Sequence, residues 1–157
     1  MDKYRVNSAT HDLPRTTIQT ILNRIVELLK SIDMEYVDVV FGFGWGVYFA
    51  EWNTLHILVH DLVPLVEFVE SRGHGSLSED DLTLRIKWTS IELCHDGGVH
   101  VAFQSKSDLI MKLHGILEES GLQPWTEAYR DAIAKKDAEY WDKKRAEWVR
   151  IDISECE

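Results

Sequence analysis

Apolar positions along the chain follow two different periods, and the places where the period changes divide it into elements. In PRTTIQTILNRIVELLKSID, residues Ile18, Ile21, Leu22, Ile25, Leu28, Leu29 and Ile32 recur at three- and four-residue steps, with Arg24, Glu27 and Lys30 between them. That is one apolar stripe on a helix. Asp12 is expected to cap it, with Pro14 in the first turn, where a missing N–H costs least. YVDVVFGF, from Tyr36 to Phe43, is β-branched and aromatic and reads as a strand. Gly44, Trp45 and Gly46 suggest a turn or bulge into a second strand, VYFAEW, with Leu55–Val59 as a third. A helix follows, N-capped by Asp61, with Pro64 in its first turn, an apolar face of Leu62, Leu65, Val66 and Val69, and an end at Gly73.

Beyond the polar stretch SRGHGSLSED the period falls to two. Leu82, Leu84, Ile86 and Trp88 alternate with Thr83, Arg85 and Lys87, the signature of a half-buried strand. SIELCH and VHVAF flank Asp96-Gly97-Gly98, a hairpin turn. A helix over Ser107 to Ser120, closed by Gly121, precedes a long Ala-, Glu- and Lys-rich helix that starts at Pro124 and carries Trp125, Tyr129, Ile133, Tyr140, Trp141 and Trp148. Residues 1–11 read as a flexible arm and 150–157 as a flexible tail. Hairpin-linked strands with helices on one side define an α+β fold, an antiparallel sheet in a single domain over 1–157.

Charge narrows the function. The formal net charge is -10, which speaks against direct nucleic-acid binding, since that work needs a basic footprint. Ten acids and one base, Arg72, lie between Asp33 and Asp81, so nearly all the excess sits in one stretch and offers a field for a basic partner. Two cysteines, Cys94 and Cys156, make no disulfide framework. The N-terminus has no apolar core of a signal peptide, and Val37 to Phe49 is too short and polar to span a bilayer. A cytoplasmic protein without membrane contact is expected.

No reactive centre assembles from the sequence. His56 and His60 stand four apart in a strand-like run, which sets them about 13 Å from each other at ~3.3 Å per residue, too far for one metal ion. Cys94-His95-Asp96 has the residue types of a nucleophile, a base and an orienter, but strand neighbours point to opposite faces, so Cys94 reads as a small core residue. His95 and His100 are expected to pair across the hairpin. Gly42-Phe43-Gly44-Trp45-Gly46 lacks the small side chains and following helix of a phosphate loop. No catalytic residue, metal or cofactor is expected.

The residues VDVVFGFGWGVYF, HDLVPLVEFVESRG, SEDDLTLRI and IELCHDGGVHVAF together resemble immunity proteins of bacterial polymorphic toxin systems. The resemblance covers less than half the chain, and its hairpin, Cys94-His95-Asp96-Gly97-Gly98, is less acidic than the family pattern. It implies a protein that binds a cognate toxin C-terminal domain, a basic nuclease, and occludes its active site or substrate path. The residues assigned to that contact are Glu79, Asp80 and Asp81 in the acidic loop, His95, Asp96 and His100 at the hairpin, and Trp141 and Trp148 on the last helix. The alternatives are a small histidine- or metal-dependent enzyme and a homo-oligomer, such as a homodimer, built on the aromatic C-terminal helix.

Overall fold

The computed structural model describes residues 4–8, 12–47, 52–103 and 107–122, together with 135, 138–139 and 142–143. The chain divides into two compact units, Met1–Pro124 and Trp125–Glu157. The first carries β1 (Tyr4–Ser8), α1 (Arg15–Ser31), β2 (Tyr36–Phe41), β3 (Leu55–Leu58), a 3-10 turn (Val59–Asp61), α2 (Leu62–Ser71), β4 (Leu82–Ile86), β5 (Thr89–Leu93), β6 (Val99–Phe103) and α3 (Asp108–Glu119). In the second, Lys135, Ala138, Glu139, Asp142 and Lys143 are helical. The rest of the expected C-terminal helix, including Trp141 and Trp148, and the tail 150–157 lie outside the described residues. The fold is α+β. Among the described residues no helix is long and apolar enough to cross a membrane.

The six strands form one antiparallel sheet in the order β1-β6-β5-β4-β2-β3. β4, β5 and β6 make a meander, and α2 carries the chain from β3 past β2 to β4. Alternation assigns the two faces. Val37, Val39, Phe41, Leu82, Leu84, Ile86, Ile91, Leu93, Val99, Val101 and Phe103 are buried in one cluster with Ile18, Ile21, Leu22, Ile25 and Leu29 of α1, Leu62, Val66 and Val69 of α2, and Ile110 and Leu113 of α3. The intervening positions, Asp38, Thr83, Arg85, Ser90, Glu92 and His100, are partly or fully exposed on the other face.

The element types follow the periodicity; several ends do not. α1 is capped by Pro14 in extended conformation, not by Asp12. Asp12 adopts a left-handed φ of 62°, and the N–H groups of Asp12 and Leu13 donate to the carbonyls of Asp96 and Gly97 at 2.9 and 3.1 Å. Gly97 permits this approach, because a Cβ there would lie 2.7 Å from the Leu13 nitrogen. The stretch 1–11, read as a flexible arm, supplies edge strand β1 on β6. Its short Tyr-x-Val alternation is too weak a signal alone, and the open edge of β6 decides it. Asp61 stands at the N-cap position of α2 as expected, but its side chain makes no capping hydrogen bond and lies 3.3 Å from His60. Ser107 does cap α3, accepting from the Ile110 N–H.

Two corrections concern tryptophan. Trp88 was expected on the inner face, yet β4 stops at Ile86, and Lys87 and Trp88 form the turn to β5, where Trp88 is 75% exposed. Lys87 takes φ 51° to make that turn. Of the turn or bulge expected at Gly44, Trp45 and Gly46, it is the turn that forms. Residues 42–46 leave the sheet in a turn that sends Phe43 outward and Trp45 into the core, edge-on to Phe41 with ring centroids 5.0 Å apart. Gly75 backs the Trp45 ring so closely that a Cβ there would fall 2.4 Å from it. The second strand expected from VYFAEW is absent at Val47 and Trp52; residues 48–51 lie outside the described residues.

Candidate functional site

The pairing register brings three connections to the same end of the sheet. Phe41 at the end of β2 pairs with Leu82 at the start of β4, which pairs with Leu93 at the end of β5. The segments after Phe41, before Leu82 and after Leu93 therefore meet. Backbone hydrogen bonds hold them: Gly42 N–H to Asp81 O and Asp81 N–H to Phe43 O at 2.9 Å each, Gly46 N–H to His74 O at 2.6 Å, and Cys94 N–H to Gly98 O at 2.9 Å.

Asp81 stands at the centre. Its side chain is only 15% exposed, and Oδ1 accepts from the His95 backbone N–H at 2.6 Å and from the His95 ring Nδ1 at 2.8 Å. A carboxylate only accepts, so Nδ1 carries the proton, and in the neutral ring Nε2 keeps its lone pair. The hydrogen bond to Asp81 raises the His95 pKa above its ordinary value, with desolvation opposing and the charges of Asp81, Asp96 and Glu92 adding to the rise. Phe43 leans on the same ring, with centroids 5.2 Å apart.

Cys94 Sγ approaches His95 Nδ1 to 3.7 Å, although strand alternation predicted that the two side chains would diverge. β5 ends at Leu93, and the alternation rule does not extend around the bend. The contact is not a nucleophile–base relay. Sulfur and Asp81 address the same ring nitrogen, whereas a relay uses one nitrogen for each. Burial, the largest cause, pushes the Cys94 thiol up to about 12, so it is a protonated thiol at neutral pH rather than a reactive thiolate.

The sequence-predicted contact residues are distributed as follows. Asp81, His95, Asp96 and His100 gather around Cys94, with donor atoms of Asp81, Cys94 and His95 within 4.8 Å of one another, and those of Cys94, Asp96 and His100 likewise. His95 and His100 do not pair across the hairpin as expected, because His100 stands opposite Glu92. The acidic loop is not three free carboxylates. Asp80 Oδ2 accepts from the Ser76 N–H at 2.7 Å, Asp81 is engaged by His95, and Glu79 is the exposed one. Asp96 Oδ1 accepts from the Gly98 N–H at 2.8 Å and closes the hairpin turn.

Nor does the acidic stretch form one face. Asp38 lies on the sheet face away from the helices, beside His56 at 2.7 Å, while Glu67 and Glu70 belong to α2 on the opposite side. Glu70 is a structural group: Arg15 Nε and a terminal guanidinium nitrogen donate to it at 2.7 and 2.5 Å, and the Leu77 N–H at 3.2 Å. Burial pulls the Glu70 pKa up, but the hydrogen bonds from Arg15, Leu77 and Ser76 and the Arg15 charge together leave it lowered. His56 stacks on Tyr36 at 4.6 Å and His60 pairs with Asp61, so the two histidines four apart serve separate carboxylates.

Phe43 and Trp52 were not assigned to the site from sequence. They are 59% and 64% exposed, and the Trp52 ring lies against Gly42, 3.4 Å from where a Cβ would stand, with the Asp81 Cβ equally near. A groove of about 380 Å³ runs from Trp52 past Gly42 and Asp81 to Thr83, Arg85 and Glu92 on the sheet face turned away from α1, α2 and α3. The signal available was the glycine-aromatic alternation at 42–46, which frees an aromatic to point outward. No family model, curated protein or solved structure matches the chain.

Proposed function

We propose that this chain is a binding protein of the immunity type, which docks the loop-bearing end of its sheet on a basic toxin domain and blocks that domain's active site or substrate path. The observation that carries the reading is the pair of exposed aromatics, Phe43 and Trp52, held beside Glu79, Asp81, His95 and the hairpin turn on segments braced by backbone hydrogen bonds. Rigid aromatic anchors with a charged rim are the make-up of a protein-binding surface. The Cys94 thiol and the single-nitrogen contact at His95 favour binding over catalysis. Charge supports the reading only locally, through the loop at Glu79, because the wider acidic stretch covers two sides of the sheet. A nuclease surface is basic because it holds phosphates, and an acidic rim complements it.

The test pairs the purified chain with the basic C-terminal domain of a secreted protein encoded beside its own gene. The expected result is a stable complex that suppresses the toxin, weakened on the order of tenfold or more by Phe43→Ala or Trp52→Ala, with Glu79→Gln slowing association and reducing its salt dependence. A toxin left fully active by excess chain overturns the proposal.

A further inference from the structure

We infer that Cys94, His95 and Asp81 form a zinc-class metal site that clasps the start of β4 to the end of β5. Three donors of different elements converge: thiol sulfur, imidazole nitrogen and carboxylate oxygen, all within 4.8 Å of one another. Tetrahedral zinc, at ~2.3 Å to sulfur and ~2.0–2.2 Å to nitrogen and oxygen, separates its ligand atoms by roughly 3.4 to 3.6 Å. The Cys94 Sγ to His95 Nδ1 distance is 3.7 Å, already near that value. Asp81 Oδ1 and Nδ1 are 2.8 Å apart, a hydrogen bond, and open by about half an ångström to admit an ion.

The backbone prepares the arrangement. Asp81 is held by the turn that follows β2, its N–H donating to the Phe43 carbonyl and its C=O accepting from the Gly42 N–H, and Cys94 by the Gly98 carbonyl and the Gly97 N–H, so the donors are positioned before any ion arrives. The donor set excludes calcium and magnesium, which take oxygen shells, and suits zinc, with a fourth position for water or a partner's group. The second donor set shares Cys94 but draws on Asp96, which closes the hairpin turn, and His100, which stands opposite Glu92; the Asp81 set is preferred because its sulfur and nitrogen already stand 3.7 Å apart. Binding releases the thiol proton to solvent, and the Nδ1 proton leaves the ring or, where Nε2 is bare, is replaced by one there. Affinity therefore rises with pH.

This inference goes beyond the binding reading and is tested on the chain alone. Metal-free, tag-free full-length protein is titrated with Co²⁺, then Zn²⁺. The expected result is saturation near equimolar metal, a thiolate-to-cobalt charge-transfer band in the near ultraviolet, visible bands of a four-coordinate ion, and displacement of both by zinc. Cys94→Ser removes the near-ultraviolet band, Cys156→Ser keeps it, and His95→Ala and Asp81→Asn each lower affinity on the order of tenfold or more. Circular dichroism checks that the Cys94→Ser variant folds; if it does not, the His95 and Asp81 variants carry the test. Absence of the band with excess Co²⁺, its survival in Cys94→Ser, or loss of affinity in His100→Ala but not in His95→Ala overturns the assignment.

Discussion

Strand β4 faces two environments at once. Leu82, Leu84 and Ile86 are turned to α1, α2 and α3 and fully or almost fully buried, whereas Thr83 and Arg85, one residue away, look out from the other face. The same holds along β5 and β6. The inner face takes its energy from removing apolar surface from water and filling space, which demands volume and little else. The outer face and the loops at its end have no such obligation. There polar, titratable and aromatic groups collect: Asp81, His95, Phe43 and Trp52. The packed core thus lies on one side of a single pleat and the proposed docking surface at the end of the other, and substitutions should fall into two groups.

The largest effect should come from the inner face. Leu84→Ala should cost about 2–5 kcal/mol in urea denaturation, while its neighbour Thr83→Ala should stay within about 0.5 kcal/mol. Equal losses at both positions would mean that the outer face is also packed. Next comes the place where the loop end borrows from the core. Gly75→Ala drives a methyl into the Trp45 ring, at a φ of 154°, and should cost about 1–3 kcal/mol, read from the same transition.

Asp81→Asn sharpens the comparison because it strikes the polar end without touching the core. It weakens two hydrogen bonds to a nearly buried carboxylate and should cost about 1–3 kcal/mol. The His95 pKa is raised in the folded protein, so its share of stability is complete below the unfolded value near 6.5 and is lost as pH rises through the folded value. The Asp81→Asn penalty should accordingly shrink between pH 6 and pH 9. Glu70 behaves with the opposite sign: its lowered pKa gives stability that is present above the unfolded value of about 4.5 and lost as pH falls through the folded one. Arg15→Met should blunt that acid-side loss while leaving the alkaline side unchanged. A pH profile with neither dependence would show that both contacts are idle. The smallest effect on stability belongs to Phe43→Ala and Trp52→Ala, within about 0.5 kcal/mol; an unfolding midpoint that drops sharply would place them in the fold rather than at a docking surface.

Much of this was legible beforehand at the level of periods. The stripe of α1 from Ile18 to Leu29, the alternation of β4 from Leu82 to Ile86 and the Asp-Gly-Gly turn each express a local rule, and each appears where expected. Less could be read where neighbours in space set the answer. Trp88 continues the alternation of β4 in sequence but falls past the last rung, and only the two-residue turn exposes it. Cys94 and His95 would diverge on a longer strand, but β5 ends at Leu93, before either of them. The acidic stretch looked like a single charged surface because sequence distance hides the fact that α2 and β2 lie on different sides of the sheet.

What the sequence determined by itself was the identity of the elements and which residues of each would seek the core, because hydrophobic period and turn chemistry act over a few residues. Only the tertiary structure decided that Asp81, Cys94 and His95 would meet, that Phe43 and Trp52 would stand beside them, and that Asp80 and Glu70 would be engaged by the Ser76 N–H and by Arg15. Those outcomes depend on strand order and register, which are settled by packing between segments far apart in the chain and leave no periodic trace in any one of them.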